Sequence, residues 1–413
     1  MAVAICMVLG AWAVVYAKAE TEKSCAGAIV TGTTVDAKTG TTAAAAGTAI
    51  FQKADLFSER DLLQAADLTN ATTYTVSDNE DITITAAGVY VLTGTARNAT
   101  VTVAAGKEDK VQLVLDGLSV TNSDAPAIYV KSADKVFVTT SADSSLSVTG
   151  AFAADGDTKL DGVIFSKSDL TLNGTAALTI TSTKNGVVGK DDLKITGGTY
   201  TISAASKAIE ANDSIRVADG TLTLIAGTDA LHAENDDDDS KGYIYIGGGA
   251  LNIQAQDDGI HAATVVQVDD GSIRITASEG VEGTYIQLNG GAISVNASDD
   301  GINAAQKSSS YRATVEINGG DITVSMGAGD TDGVDSNGDI IVNGGTISVT
   351  GNSTFDYDGT GELNGGTVIV NGQQVDYLPN QFGGMGGFGG GFGGGFGGGF
   401  GGGWGGRGGR GGW

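Results

Sequence analysis

One five-residue phrase returns along the chain at near-regular intervals. It constrains the fold more than any other feature. Asp258-Gly259-Ile260-His261-Ala262 reappears as Glu279-Gly280-Val281-Glu282-Gly283, as Asp300-Gly301-Ile302-Asn303-Ala304 and as Asp332-Gly333-Val334-Asp335-Ser336. Looser copies stand at 161–164, 185–188, 207–211 and 229–233, and Asp356-Tyr357-Asp358-Gly359 ends the series. Measured on the aliphatic residue, the steps from Ile209 through Leu231, Ile260 and Val281 to Ile302 are 22, 29, 21 and 21 residues. A period in this range marks a solenoid, whose units bury their apolar faces only by stacking.

Each repeat carries two further apolar-x-apolar segments around a glycine turn, as in Ile286-Gln287-Leu288, Gly290-Gly291 and Ile293-Ser294-Val295. Alternation of period 2 indicates strands. The expected fold is therefore all-β: a parallel β-helix with three short strands per coil and very little helix. Coils pairing about 4.8 Å apart would give a rod about 50 Å long for roughly ten coils. Val163, Val187, Ile209, Leu231, Ile260, Val281, Ile302 and Val334 are expected to form one inward ladder. The β-helix is expected over 111–377, preceded over 51–110 by first strands and a cap on the end coil, with a short helix at 59–66. Three insertions, at 235–240, 307–311 and 327–331, break the period and are expected to form loops on one face.

The termini read differently. Residues 2–16 are apolar and end in Ala17-Lys18-Ala19, the pattern of a signal peptide cut after Ala19. Residues 20–50 read as a flexible linker, and the Gly/Phe/Arg repeats of 378–413 as a disordered tail. The tail's spaced Phe, Trp and Arg could associate through stacking and cation–π contacts, with each other or with sugar rings. The protein is expected to be secreted or held at the cell surface, with no transmembrane span in the mature chain. Cleavage would remove Cys6 and leave Cys25 as a lone thiol, so no internal disulfide framework is available. A formal net charge of −26 excludes nucleic acid as a partner of the main body. The same charge repels acidic polysaccharide unless a divalent cation lies between.

Strand alternation sends the residue after each inward aliphatic outward, and a second polar file stands two residues before it. One file reads Glu210, His232, His261, Glu282, Asn303, Asp335 and Asp358; the other reads Asp161, Asn185, Lys207, Asp229, Asp258, Glu279, Asp300 and Asp332. Like charges on adjacent rungs repel, and a cation between coils relieves them. Hard oxygen donors without cysteine point to Ca²⁺, with Glu210, Asp229, Asp258, Glu279, Glu282, Asp299, Asp300, Asp332 and Asp335 as candidate ligands. His232, His261, Asn303 and Asp335 are the candidate polysaccharide contacts. The two histidines, 29 residues apart, leave a softer-metal pair as an alternative. The bland alternative is a solvated acidic face in which each Asp-Gly makes a turn.

The chain resembles bacterial, mostly clostridial, surface proteins known as carbohydrate-binding domain-containing proteins. The resemblance runs from about Phe51 to Tyr377. It is carried by the stretch from Asp61-Leu62-Leu63-Gln64 to Thr69-Asn70-Ala71, by Gly88-Val89-Tyr90-Val91-Leu92-Thr93-Gly94, Val114-Leu115-Asp116-Gly117 and Pro126-Ala127-Ile128-Tyr129, by 209–215 and by Asp300-Gly301-Ile302-Asn303. It implies a right-handed parallel β-helix related to polysaccharide lyases. It also implies bound calcium and binding of acidic sugars such as polygalacturonate (pectin), and of cellulose.

Three functions follow as expectations. The first is a non-catalytic module in which Ca²⁺ bridges protein and uronate carboxylates. The second is a pectate-type lyase. There a cation acidifies the proton alpha to the uronate carboxyl and a base removes it; Lys207, the one basic residue in its file, is the candidate base. The third is a structural or adhesive surface protein with the rod as spacer and the tail as glue.

Overall fold

Segments in which every second residue is valine, isoleucine or leucine cannot stand alone in water, and the fold resolves this by stacking them on their own copies. In the computed structural model, residues 47–328 and 331–380 are described. The expected signal peptide, most of the linker and nearly all of the glycine-rich tail lie outside them. Three ladders of strands run through the molecule. Asp169–Gly174, Asp192–Ile195 and Ser214–Val217 belong to the first, with Tyr285–Leu288, Thr314–Ile317 and Asp339–Val342 further on. Ala177–Ser182, Thr199–Ala204 and Thr221–Ala226 belong to the second, with Ala292–Ala297, Asp321–Met326 and Thr346–Thr350. The long strands Tyr243–Ala255 and Val265–Ala277 pass through both and help join them into one 22-stranded sheet. The third ladder is a separate sheet of 12 strands, from Ile82–Ile84 to Ser353–Tyr357, and it carries the repeated phrase. Strand pairing is parallel throughout the described residues except at the end, where Gln373–Val375 folds back antiparallel on Thr367–Val370. The fold is all-β and solenoid-like.

The inward file of the third ladder is Ile164, Val187, Ile209, Leu231, Ile260, Val281, Ile302, Val334 and Phe355, each at most 2 % exposed. Two expected registers are corrected. Ile164, not Val163, pairs with Val187. Val163 is also fully buried in the main core, and Phe165 on the other side packs with Tyr129, Leu160 and Val188 in an outer apolar cluster. With both faces apolar, alternation cannot say which residue points in. At the other end Phe355 takes the core position, so Asp356 rather than Asp358 follows Asp335 in the outer file.

The glycine corners also stack. Asn289, Asn318, Asn343 and Asn364 chain their side-chain amides at 2.8, 2.8 and 3.0 Å, one from each coil. At the Gly-Gly step that follows, Gly291 has φ +86°, and a Cβ there would stand 2.8 Å from the carbonyl of Gly271. The turn requires glycine on both counts.

Residues 47–64 differ from the expected linker and end cap. They run as a strap along the flank of the first ladder. Gly47 N donates to Asn318 Oδ1, Ile50 N to Gln287 Oε1 and Phe51 N to Gln267 Oε1, at 3.0, 3.0 and 2.7 Å. Further along, Leu56 and Phe57 pack with Ala218 and Tyr245. Gln64 bonds Thr196 O and Gly174 N at 2.9 and 3.0 Å. Between these lies Asp61, 1 % exposed, paired with Lys135 at 2.5 Å and Lys194 at 3.1 Å. The helix expected at 59–66 is absent. The strap holds one helical turn, Lys53–Leu56, and Leu62 and Leu63 remain 45 % and 58 % exposed, so there is no apolar stripe for a helix to bury.

Candidate functional site

The outer file beside the core of the third ladder reads Val188, Glu210, His232, His261, Glu282, Asn303, Asp335 and Asp356, in register from coil to coil. Beside it stand Asp229, Asp258, Glu279, Asp300 and Asp332. The Asp-Gly of the phrase is not a turn: Asp258–Ala262 is continuous strand. Its glycine is needed because a Cβ on Gly259 would sit 2.6 Å from the carbonyl of Gly280 in the next coil and inside a methyl of Ile275. Asp161, one residue out of register, lies outside the file and pairs with Lys184 at 3.8 Å.

Position in the strand points this stripe outward, yet its middle is buried. Asp229, His232, Asp258, His261 and Glu282 are all 9 % exposed or less. Two of the insertions meet each other here. Ser309 donates to Asp239 Oδ2 from its backbone at 2.8 Å and from its hydroxyl at 2.5 Å, and Ser308 Oγ donates to Asp239 O at 3.0 Å. The second loop also brings Lys307 to 2.9 Å from Glu282. Replacing Asp239 by alanine removes the acceptor that joins the loops. Amide exchange should quicken in 235–242 and 306–311, with little change in exchange from the core strands; hydrogen-exchange mass spectrometry measures both.

The stripe has three electrostatic zones. At the first, Glu210 accepts from Asn185 Nδ2 at 2.8 Å and pairs with Lys190 at 3.2 Å. Lys207, the candidate base, lines a cavity of about 240 Å³ with Glu210, His232 and Glu234. In the middle zone the acids have cationic or imidazole partners. His261 Nδ1 lies 2.6 Å from Asp258 and 2.8 Å from Glu282. Burial opposes the charge on this ring, but the two carboxylates prevail and raise its pKa to about 9. Asp229 lies 2.8 Å from His232 Nδ1.

The third zone lacks such compensation. No lysine or arginine pairs with Glu279, Asp300, Asp332 or Asp335 among the described residues. Burial, with Asp300, Asp332 and Asp356 alongside, pushes Asp335 up to about 7. Burial together with Asp299, Asp332 and Glu282 takes Asp300 to about 6, and Asp299 itself lies exposed at the rim. Burial, then Glu282, Asp258 and Asp300, take Glu279 to about 7 even though Asn303 Nδ2 donates to it at 3.0 Å. Asp332, Asp335 and Asp356 each place a carboxylate oxygen within 4.8 Å of the others. Asn303 Oδ1 is buried in the file next to Asp335 with no hydrogen-bond partner. Oxygen donors, excess negative charge and an orphaned amide oxygen suit a hard divalent cation.

Sequence reasoning set these acids in two files but did not single out Glu234, Lys307 or Asp356 for the site. Lys307 sits in an insertion outside the period, and Asp356 belongs to a copy of the phrase that has lost its glycine. Among the described residues no helix is long and apolar enough to cross a membrane.

The chain is similar to known proteins. A carbohydrate-binding domain-containing protein of Acetivibrio thermocellus is 37 % identical over 132 residues, which is 31 % of this chain and 46 % of the relative, so the match spans less than half of that protein. A solved structure, a polysaccharide lyase-like protein from C. thermocellum in its gadolinium derivative, aligns over 71 % of this chain and 98 % of its own, with 23 % identity and a TM-score of 0.41. The model of the carbohydrate-binding domain-containing proteins matches residues 78–328, a span that includes the stripe from Glu210 to Asn303. The chain belongs to the carbohydrate-binding domain-containing protein family.

Proposed function

We propose that this is an extracellular, calcium-dependent polysaccharide-binding protein that takes acidic chains of the polygalacturonate type. Family membership supports polysaccharide as the ligand class. The observation that carries the calcium reading is the third zone, where among the described residues no lysine or arginine pairs with Glu279, Asp300, Asp332 or Asp335, and Asn303 Oδ1, on the rung next to Asp335, is buried with no hydrogen-bond partner. These residues would hold the ion, which supplies a positive charge between two polyanions. Glu210, Asp229, Asp258 and Glu282 have lysine or imidazole partners and are left out of this ligand set. Asn303 and Asp335 would also face the sugar. The winding is taken to be right-handed with three strands to the coil, and the expected signal peptide accounts for export.

Calorimetric titration of the EDTA-treated full chain tests the ion directly. Saturable Ca²⁺ uptake and a rise in melting temperature are expected. Asp335→Asn should weaken uptake at least ~10-fold, since calcium affinity follows ligand charge. Absence of uptake by the natural chain would remove calcium from the account.

A further inference from the structure

Beside the clasped loops, two imidazoles sit on adjacent rungs in the same environment. The rings of His232 and His261 stack with centroids 4.5 Å apart and planes at 17°. Each has an aspartate three residues earlier in the phrase. Asp258 Oδ2 is 2.6 Å from His261 Nδ1, and Asp229 Oδ2 is 2.8 Å from His232 Nδ1, close but out of line for a full hydrogen bond. A carboxylate on Nδ1 orients an imidazole and leaves Nε2 as the donor atom, the arrangement that supports histidine ligands of metals. Two imidazolium rings stacked at this distance would repel each other; a metal ion on Nε2 displaces the proton that Asp258 and Glu282 favour on His261, and the two rings then present a pair of lone pairs to one region.

A third donor stands at that region. Glu234 Oε2 lies 3.2 Å from His232 Nε2. Two ligands each about 2.1 Å from one tetrahedral ion are separated by about 3.4 Å, so this spacing needs little adjustment. His232, Glu234 and His261 each offer a ligand atom within 4.8 Å of the others. His232 is only 7 % exposed, yet it and Glu234 line the cavity of about 240 Å³ that continues along Asn235, Asp236 and Asp237, which provides an entry path. The ordinary alternative is a buried pair of ion-paired histidines. That accounts for the aspartates on Nδ1 but not for a carboxylate on the opposite side of a ring stacked on its own copy.

We propose that His232 Nε2, His261 Nε2 and the Glu234 carboxylate bind one divalent transition metal of the zinc class, with Asp229 and Asp258 as positioning residues. Imidazole donors separate this site from the oxygen-only third zone, and it stands whether or not calcium binds there. Three protein ligands leave a fourth position, open to the cavity, for water or another oxygen donor.

The test uses the EDTA-treated full chain with Zn²⁺ by calorimetry and with Co²⁺ by visible absorption. One equivalent of Zn²⁺ should bind in the presence of excess Ca²⁺, and Co²⁺ should give the intense bands of a tetrahedral site. Glu234→Gln, at a side chain 50 % exposed and outside the core, should weaken Zn²⁺ binding at least ~10-fold without changing the fold, and Asp258→Asn by ~10–100-fold. Asp335→Asn should leave it unchanged. No saturable Zn²⁺ uptake by the natural chain, or uptake that persists unweakened in a Glu234→Gln/His232→Gln double variant, would overturn the proposal.

Discussion

Asp61→Ala is expected to destabilise the protein by about 3–5 kcal/mol, the usual cost of removing one partner from a buried ion pair. The carboxylate is 1 % exposed and meets Lys135 and Lys194, whose side chains are each 10 % exposed. Removing it leaves two ammonium groups under the strap with each other as neighbours. It also removes the acceptor that Thr171 Oγ1 reaches at Asp61 Oδ1, 3.4 Å away. Burial alone would raise the Asp61 pKa. Hydrogen bonding to Lys135 and the Ser58 backbone, with the charges of Lys135 and Lys194, holds it well below the ordinary carboxylate range. A carboxyl depressed in the folded state contributes its full stabilisation above the unfolded pKa of about 3.9 and loses it as pH falls towards the folded value. Guanidinium titrations should therefore show a large gap between the natural chain and Asp61→Ala at neutral pH, and that gap should narrow as pH falls below about 4. A gap independent of pH would show that the loss is one of packing rather than charge.

Gly280→Ala should cost about 3 kcal/mol, the upper part of the range for overpacking. The added Cβ would fall inside the carbonyl of Gly301 in the next coil and a methyl of Val295. Backbone of a stacked coil cannot step aside without breaking its own ladder bonds, and Gly280 N donates to Asp300 O at 2.9 Å in that ladder. Gly283, in the same strand, provides the control. Its added Cβ would meet Val266 Cγ2 at 3.3 Å and Ala262 O at 3.4 Å, close to ordinary contact. Gly283→Ala should cost well under half as much by the same guanidinium titration.

These two residues also mark what could be read from the sequence and what could not. The stacked aliphatics from Val187 to Val334 were legible because each coil repeats the same residue type at the same place in the phrase, and the glycine corners because a tight turn requires them. One file of polar residues followed from strand alternation, and the other from the repeat of an acid two residues before each aliphatic. Gly280 was visible as part of the phrase, but its reason was not: Asp-Gly looks like a turn until the next coil's carbonyl is seen against it. The strap left no local signal, since Asp61 finds its partners 74 and 133 residues away. Register failed where the alternation itself disappears, at Gly162-Val163-Ile164-Phe165, and where Phe355 replaces an aliphatic residue. The burial of His232 and His261 depends on how two insertions clasp, and insertions carry no period.

The most direct test of calcium-dependent recognition is retention of the full chain on immobilised polygalacturonate, measured in Ca²⁺ and in EDTA, beside the Asp335→Asn variant and a neutral cellulose support. The account predicts retention in Ca²⁺, its loss in EDTA, and at least ~10-fold weaker retention of the variant in limiting Ca²⁺. Retention on polygalacturonate that is equal with and without EDTA, or none in Ca²⁺, would contradict it.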